Sequence, residues 1–218
     1  MPRNDLDRQI SVVQNELSQY ANVVDELFDR VIATLKTLDP YDAKIVMQRE
    51  DDLEKSAESI EEKLVDIMTL QQPIVGRDLR FIVALLVINQ RMQRVSHGAI
   101  GAARLANDLV TQFSSVAQTP PALIDLGESA RTLLALTMKK CATNAMQSIQ
   151  DVIAGEQLVD SKNRAVREQL LEEMKSFDTT TAAGADETRR VTYWLWLAHR
   201  FERAADHAMA IARRAHTI

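Results

Sequence analysis

The sequence predicts an all-α protein made of two similar three-helix bundles packed side by side. Glycine and proline are scarce, six and five among 218 residues, so few positions can interrupt a helix. Apolar residues recur at steps of three and four, the spacing that keeps them on one helical face. The strongest break, "AQTPPAL", falls near the midpoint and leaves three long helical segments on either side. This organisation reads as an internal duplication, with residues 1–117 as the first repeat and 118–218 as the second.

The first helix is the clearest. Ile10, Val13, Leu17, Tyr20, Val24, Leu27, Val31 and Leu38 form a heptad stripe, with Thr34 in the one polar slot. No Gly or Pro interrupts it from Arg3 to Asp39. Its length suits a coiled coil, but more helical pattern follows at once and favours a bundle. Asp39-Pro40 ends it. A second helix is expected over Tyr41–Leu70, with Leu53, Ala57, Ile60, Leu64 and Ile67 on one face. "QQPIVGRDLR" breaks the pattern at Pro73 and Gly76, and Asp78 is placed to cap a third helix reaching Phe113. The second half reads as helices over Ala122–Ala154, Glu156–Phe177 and Glu187–Ala215. "DTTTAAGAD" is a soft loop before the last of these, with Asp186 as its cap.

Composition narrows the function. Apolar residues make up 46% and charged residues 26%, a soluble globular balance. A net charge of −5 with no basic block argues against broad nucleic-acid binding. The most apolar run, "FIVALLVIN", is too short to span a bilayer, so membrane contact is expected to be peripheral or indirect. "MPRNDLDRQI" has no apolar core and does not read as a signal peptide. The single Cys141 lies in a helical pattern, reads as a small buried residue and fits a reducing compartment.

The candidate site lies in the acids. "RFERAADHA" places Glu202 and Asp206 four residues apart on one helical face. Glu156 and Asp160 repeat that spacing on the neighbouring helix, and Glu50 and Glu54 repeat it in the first half. If the two pairs of the second half face each other, four carboxylates converge and need protons or a cation. Hard or borderline cations suit oxygen donors on facing helices. His199 lies three residues before Glu202 and is a possible further ligand, whereas His207 is displaced around the helix. An isolated pair of this spacing is ordinarily a solvated face. Its recurrence on neighbouring helices of a duplicated pattern is what lifts it above that reading.

Shifting "RFERAADHA" back by 109 positions lands on "RMQRVSHGA". Gln93 and His97 then replace Glu202 and Asp206, while Arg94 matches Arg203. The first-half set of Glu50, Glu54, Gln93 and His97 therefore carries less negative charge and is expected to bind metal differently or not at all. Enzyme signatures are missing: there is no phosphate loop, no H-E-x-x-H and no G-x-S-x-G. No histidine has a Glu three residues before it, which removes the E-x-x-H pattern of di-iron bundles. Trp194 fits a core stripe with Val191, Leu195, Ala198 and Ala205, and Trp196 points elsewhere, to an interface.

With two three-helix repeats, a Pro73…Asp78-Leu79-Arg80 turn, Glu50/Glu54, Glu156/Asp160 and Glu202-Arg203-Ala204-Ala205-Asp206, the chain resembles the PhoU family of phosphate-signalling regulators. The resemblance spans essentially the whole chain. It departs at Gln93-Arg94-Val95-Ser96-His97, where the family has its first E-R-x-x-D, and in a turn one residue longer. The resemblance implies a cytoplasmic adaptor rather than an enzyme, often a homodimer, with multinuclear iron or zinc, or another divalent metal, on its acidic faces. It implies a phosphate ABC transporter ATPase subunit and a sensor histidine kinase as partners, and negative regulation of phosphate uptake and starvation signalling. The residues themselves leave two rivals open, a metal-free helical scaffold and a carboxylate-metal hydrolase or oxidase.

Overall fold

Helix α1 runs from Arg3 to Thr37 in the computed structural model. The model describes residues 3–70, 74, 76–113, 118–143 and 147–217, with side chains from Asp5 onward. The heptad stripe is its buried face from Ile10 to Val31, and Thr34 is buried in the same line. Leu38 falls outside the stripe. It takes φ 57° and donates its N–H to the Thr34 carbonyl at 2.9 Å, which closes the helix. The Asp39 carboxylate then accepts the Tyr41 N–H at 2.9 Å and starts the next segment.

The single helix expected over Tyr41–Leu70 is two helices. Helix α2 covers Tyr41–Met47 and α3 covers Glu50–Leu70. At the junction the Arg49 N–H bonds to the Val46 carbonyl, a tightened i→i+3 turn. The bend lets Ala43 and Val46 on one side, and Leu53 through Ile67 on the other, both reach α1 and the next long helix.

That helix, α4, spans Gly76–Gln112. It begins at Gly76, so Asp78 sits in its first turn and is not its cap. Pro73 lies outside the described residues. Asn89 of α4 is buried and donates from Nδ2 to the Ala57 carbonyl of α3 at 2.8 Å. Tyr20 of α1 shares a 2.8 Å hydroxyl contact with Ser96 of α4.

Helix α5 opens with Pro121, whose missing N–H is harmless in a first turn, and ends at Ala142. The expected continuation to Ala154 does not occur. Thr143 closes the helix, and Lys140 holds the far side of the break through the Ser148 carbonyl at 2.8 Å and Asp151 at 2.6 Å. Helix α6 therefore starts early and covers Gln150–Met174. Helix α7 covers Ala182–His216, again longer than expected. Its cap is Thr181, whose hydroxyl accepts the Gly184 N–H at 3.1 Å, and not Asp186. Gly184 is packed so closely on the Asp178 carbonyl that a side chain there would collide with it.

The first bundle is α1, α2, α3 and α4; the second is α5, α6 and α7. They join where α1 lies on α5 and α4 lies on α7. A single apolar core runs through both bundles. Phe28 of α1 meets Phe201 of α7 with ring centroids 6.4 Å apart, and Phe201 rests on Gly127 of α5. Trp194 is core as expected, with Arg190 stacked 5.2 Å from its ring, while Trp196 is exposed beside Tyr193.

Candidate functional site

Helices α6 and α7 pack against each other and carry the second-half acids along their seam. Asp160 and Glu202 line one open groove, together with Asn163, Arg164 and Arg167. One turn along, Glu156 lies close enough to Asp206 for their charges to interact. The Glu156 carboxyl is held above the usual glutamate range, first by its partial burial and then by the negative charges of Asp160 and Asp206, against which Arg213 acts. The two pairs therefore lie along the same α6–α7 seam.

The acids of α7 also have partners within their own helix. Glu202 lies 3.2 Å from His199 Nδ1, and Asp206 lies 3.3 Å from Arg203. Among the described residues no three His, Cys, Asp or Glu side chains converge closely enough to hold an ion as they stand. The donor chemistry nevertheless fits an oxygen-seeking cation. Asn163 is buried beside Asp160 and Glu202, and its Oδ1 has no hydrogen-bond partner among the described residues. An orphaned carbonyl oxygen beside two carboxylates is the oxygen-donor chemistry that hard cations prefer.

The first half is arranged differently. Glu50 is paired with Arg104 of α4. Glu54 and His97 are exposed and Gln93 is half-buried. Arg104 and Arg213 stand 109 positions apart, the spacing that relates Arg94 to Arg203. The same arginine thus clamps its acid in the first repeat, yet in the second only acts on Glu156 through charge.

Sequence reasoning singled out the acids through their i, i+4 spacing. It missed Asn163, Arg104 and Arg213. The repeat spacing signals the two arginines, whereas Asn163 becomes visible only once α6 is known to bury that position. His207 is displaced from the acids, as expected, and is buried under a separate cleft between α4 and α7.

Comparison with known proteins identifies the fold. The PhoU domain matches residues 17–106 and matches again over 123–215. The chain belongs to the PhoU family. Its two PhoU domains correspond to the two bundles. A phosphate-specific transport system accessory protein PhoU homolog of Streptococcus pneumoniae is 20% identical over 212 residues, 97% of this chain and 94% of that protein. A homolog of the same description from Clostridium acetobutylicum is 23% identical over 104 residues, 48% of each chain. The crystal structure of PhoU from Pseudomonas aeruginosa superposes with a TM-score of 0.85 at 19% identity, covering 96% of both chains. The phosphate transport system regulatory protein PhoU of Streptococcus pneumoniae superposes with a TM-score of 0.79 at 18% identity, covering 96% of this chain and 94% of that one. Among the described residues no helix of this PhoU-family chain is long and apolar enough to cross a membrane.

Proposed function

We propose that the protein is a cytoplasmic adaptor of a phosphate transport system, which restrains phosphate uptake and starvation signalling when phosphate is plentiful. The observation that carries this reading is the PhoU domain matched twice along the chain, together with relatives named as accessory proteins of phosphate-specific transport. Its partners in this reading are the ATPase subunit of a phosphate ABC transporter, a sensor histidine kinase and a second copy of itself. It performs no catalysis. Deleting the gene and measuring alkaline phosphatase in high phosphate tests the regulatory role. Derepression is expected, and unchanged repression in a strain lacking any second copy overturns it.

The reading includes iron or zinc on the α6–α7 seam. Glu156, Asp160, Glu202 and Asp206 would hold it, with Asn163 supplying a neutral oxygen and His199 at the margin. A bound cation would neutralise the seam and tie α6 to α7. Glu50, Glu54, Gln93 and His97 would hold metal less well, because Arg104 already neutralises Glu50. Elemental analysis of untagged protein purified without chelator tests this: replacing Glu202 and Asp206 by Ala should lower the metal content. A metal-free scaffold is the second reading, favoured by the absence of a converged ligand set among the described residues. It requires that chelators leave thermal stability unchanged, whereas a metal bound only to the native state would raise it.

A further inference from the structure

The duplication brings two copies of one basic pattern to a single cleft. Arg91 and Arg94 on α4 stand 109 positions before Arg200 and Arg203 on α7. Because α4 and α7 pack on each other, Arg94, Arg200 and Arg203 reach one cleft, and Arg91 lies close enough to act on the charge of His207 within it. Arg94 and Gly98 line one wall of the cleft, and Arg200, Arg203, Ala204 and His207 line the other.

These arginines are poorly neutralised. The chain carries 31 acidic and 26 basic Asp, Glu, Lys and Arg residues, so acids are in excess. Even so, Arg91, Arg94 and Arg200 have no carboxylate partner among the described residues, and Arg203 has Asp206 alone, at 3.3 Å. The Arg200 guanidinium lies flat over Gly101, where an added Cβ would sit 3.2 Å from its Cζ. His207 is 6% exposed and faces this cleft. Neither of its ring nitrogens has a hydrogen-bond partner among the described residues, and Arg203, Arg91 and Arg94 are close enough to act on its charge. Gly98 leaves the floor open, since a Cβ added there meets nothing within 4 Å.

A largely buried imidazole that makes no hydrogen bond among the described residues, beside guanidiniums that share the single acid Asp206, suits an acceptor-rich anion. Guanidinium forks match the oxygens of a tetrahedral oxyanion in pairs, and a neutral imidazole adds one donor. We propose that the α4–α7 cleft binds a phosphate-class oxyanion, held by Arg94, Arg200, Arg203 and His207 at the junction of the two repeats. Arg91 extends the site at one end. The ligand is either free phosphate or the phosphate chain of a larger molecule. This proposal stands on the cleft alone and does not depend on the regulatory role.

The test uses the full chain stripped of metal, so that no cation on the α6–α7 acids can bridge to phosphate. Calorimetric titrations with inorganic phosphate, pyrophosphate and ATP are compared with chloride at matched ionic strength. At least one phosphate compound should bind with a stoichiometry near one per chain, and inorganic phosphate alone distinguishes the free anion from the larger ligands. Arg94→Gln and Arg200→Gln should each weaken that binding about tenfold. Gly98→Glu, which places a carboxylate in open space, should abolish it while the circular dichroism and melting curve stay native. Arg8→Gln, far away on α1, should leave binding unchanged. Binding no stronger than chloride for all three compounds overturns the proposal. So does wild-type affinity in a folded Gly98→Glu variant.

Discussion

The guanidinium of Arg131 on α5 forks onto the carboxylate of Asp25 on α1, with both bonds at 2.8 Å. The two PhoU matches begin at residues 17 and 123, and the same 106 positions separate Asp25 from Arg131. The ion pair therefore joins positions that stand at the same distance from the start of their own PhoU matches. Both side chains are about a third exposed, so solvent screens the pair. A double-mutant cycle with Asp25→Asn and Arg131→Gln, read by urea denaturation, should give a coupling of about 1 kcal/mol. The swapped pair Asp25→Arg with Arg131→Asp should recover part of the loss. Strict additivity would mean that the fork contributes nothing.

Gly184 and Gly155 are both helical, yet they should respond oppositely to alanine. At Gly184 a Cβ strikes the Asp178 carbonyl, part of a fixed backbone turn. Gly184→Ala should cost about 1–3 kcal/mol in chemical denaturation. At Gly155 the Cβ comes 2.7 Å from Leu133 Cδ1, the far end of a side chain that can rotate. Gly155→Ala should stay within about 1 kcal/mol of the wild type, helped by the better helix propensity of alanine.

Burial pushes the Cys141 thiol up from 9.0 to about 12. The folded thiolate population at pH 8 is then smaller by about 10³ than that of a free cysteine, since each pKa unit is a factor of ten. Native protein should react with a thiol reagent correspondingly slowly, and denatured protein at the ordinary rate. The folded state keeps a proton that the unfolded state loses above pH 9.0, so this group subtracts stability as the pH climbs from 9.0 towards 12. Cys141→Ala should remove that alkaline component of the loss.

On the α6–α7 seam, Asp160 and Asp206 act against the charge of Glu156. Glu156→Gln should raise the melting temperature of chelated protein. With iron or zinc added, the wild type should gain stability and Glu156→Gln should gain less. A variant that melts lower than the wild type in chelator would mean that Glu156 is not a repelled group.

The α1 stripe was legible because one unbroken heptad sets both its phase and its length. The α5–α6 break was not, since "TNAMQS" contains neither Gly nor Pro to signal it, and the Lys140 bonds to Ser148 and Asp151 across the break leave no mark in the sequence pattern. The start of α7 was hidden for a related reason. "TAAGAD" has no apolar period, and its cap depends on Thr181 reaching Gly184. The i, i+4 acid pairs were legible from local spacing, while the arginine cleft needed knowledge of which long helices touch. The matches of Arg91 with Arg200 and of Arg94 with Arg203 are visible in the sequence, but nothing there says that α4 lies on α7.

The Asp25–Arg131 fork bears on what would happen if the repeats were made as two separate polypeptides. Two first repeats meeting in the same geometry would set Asp25 against Asp25, and two second repeats would set Arg131 against Arg131. Only the mixed pair sets unlike charges together, so the mismatch disfavours self-association of either piece. The halves carry a recognition code for each other, and co-expressed fragments should assemble as heterodimers in preference to like pairs.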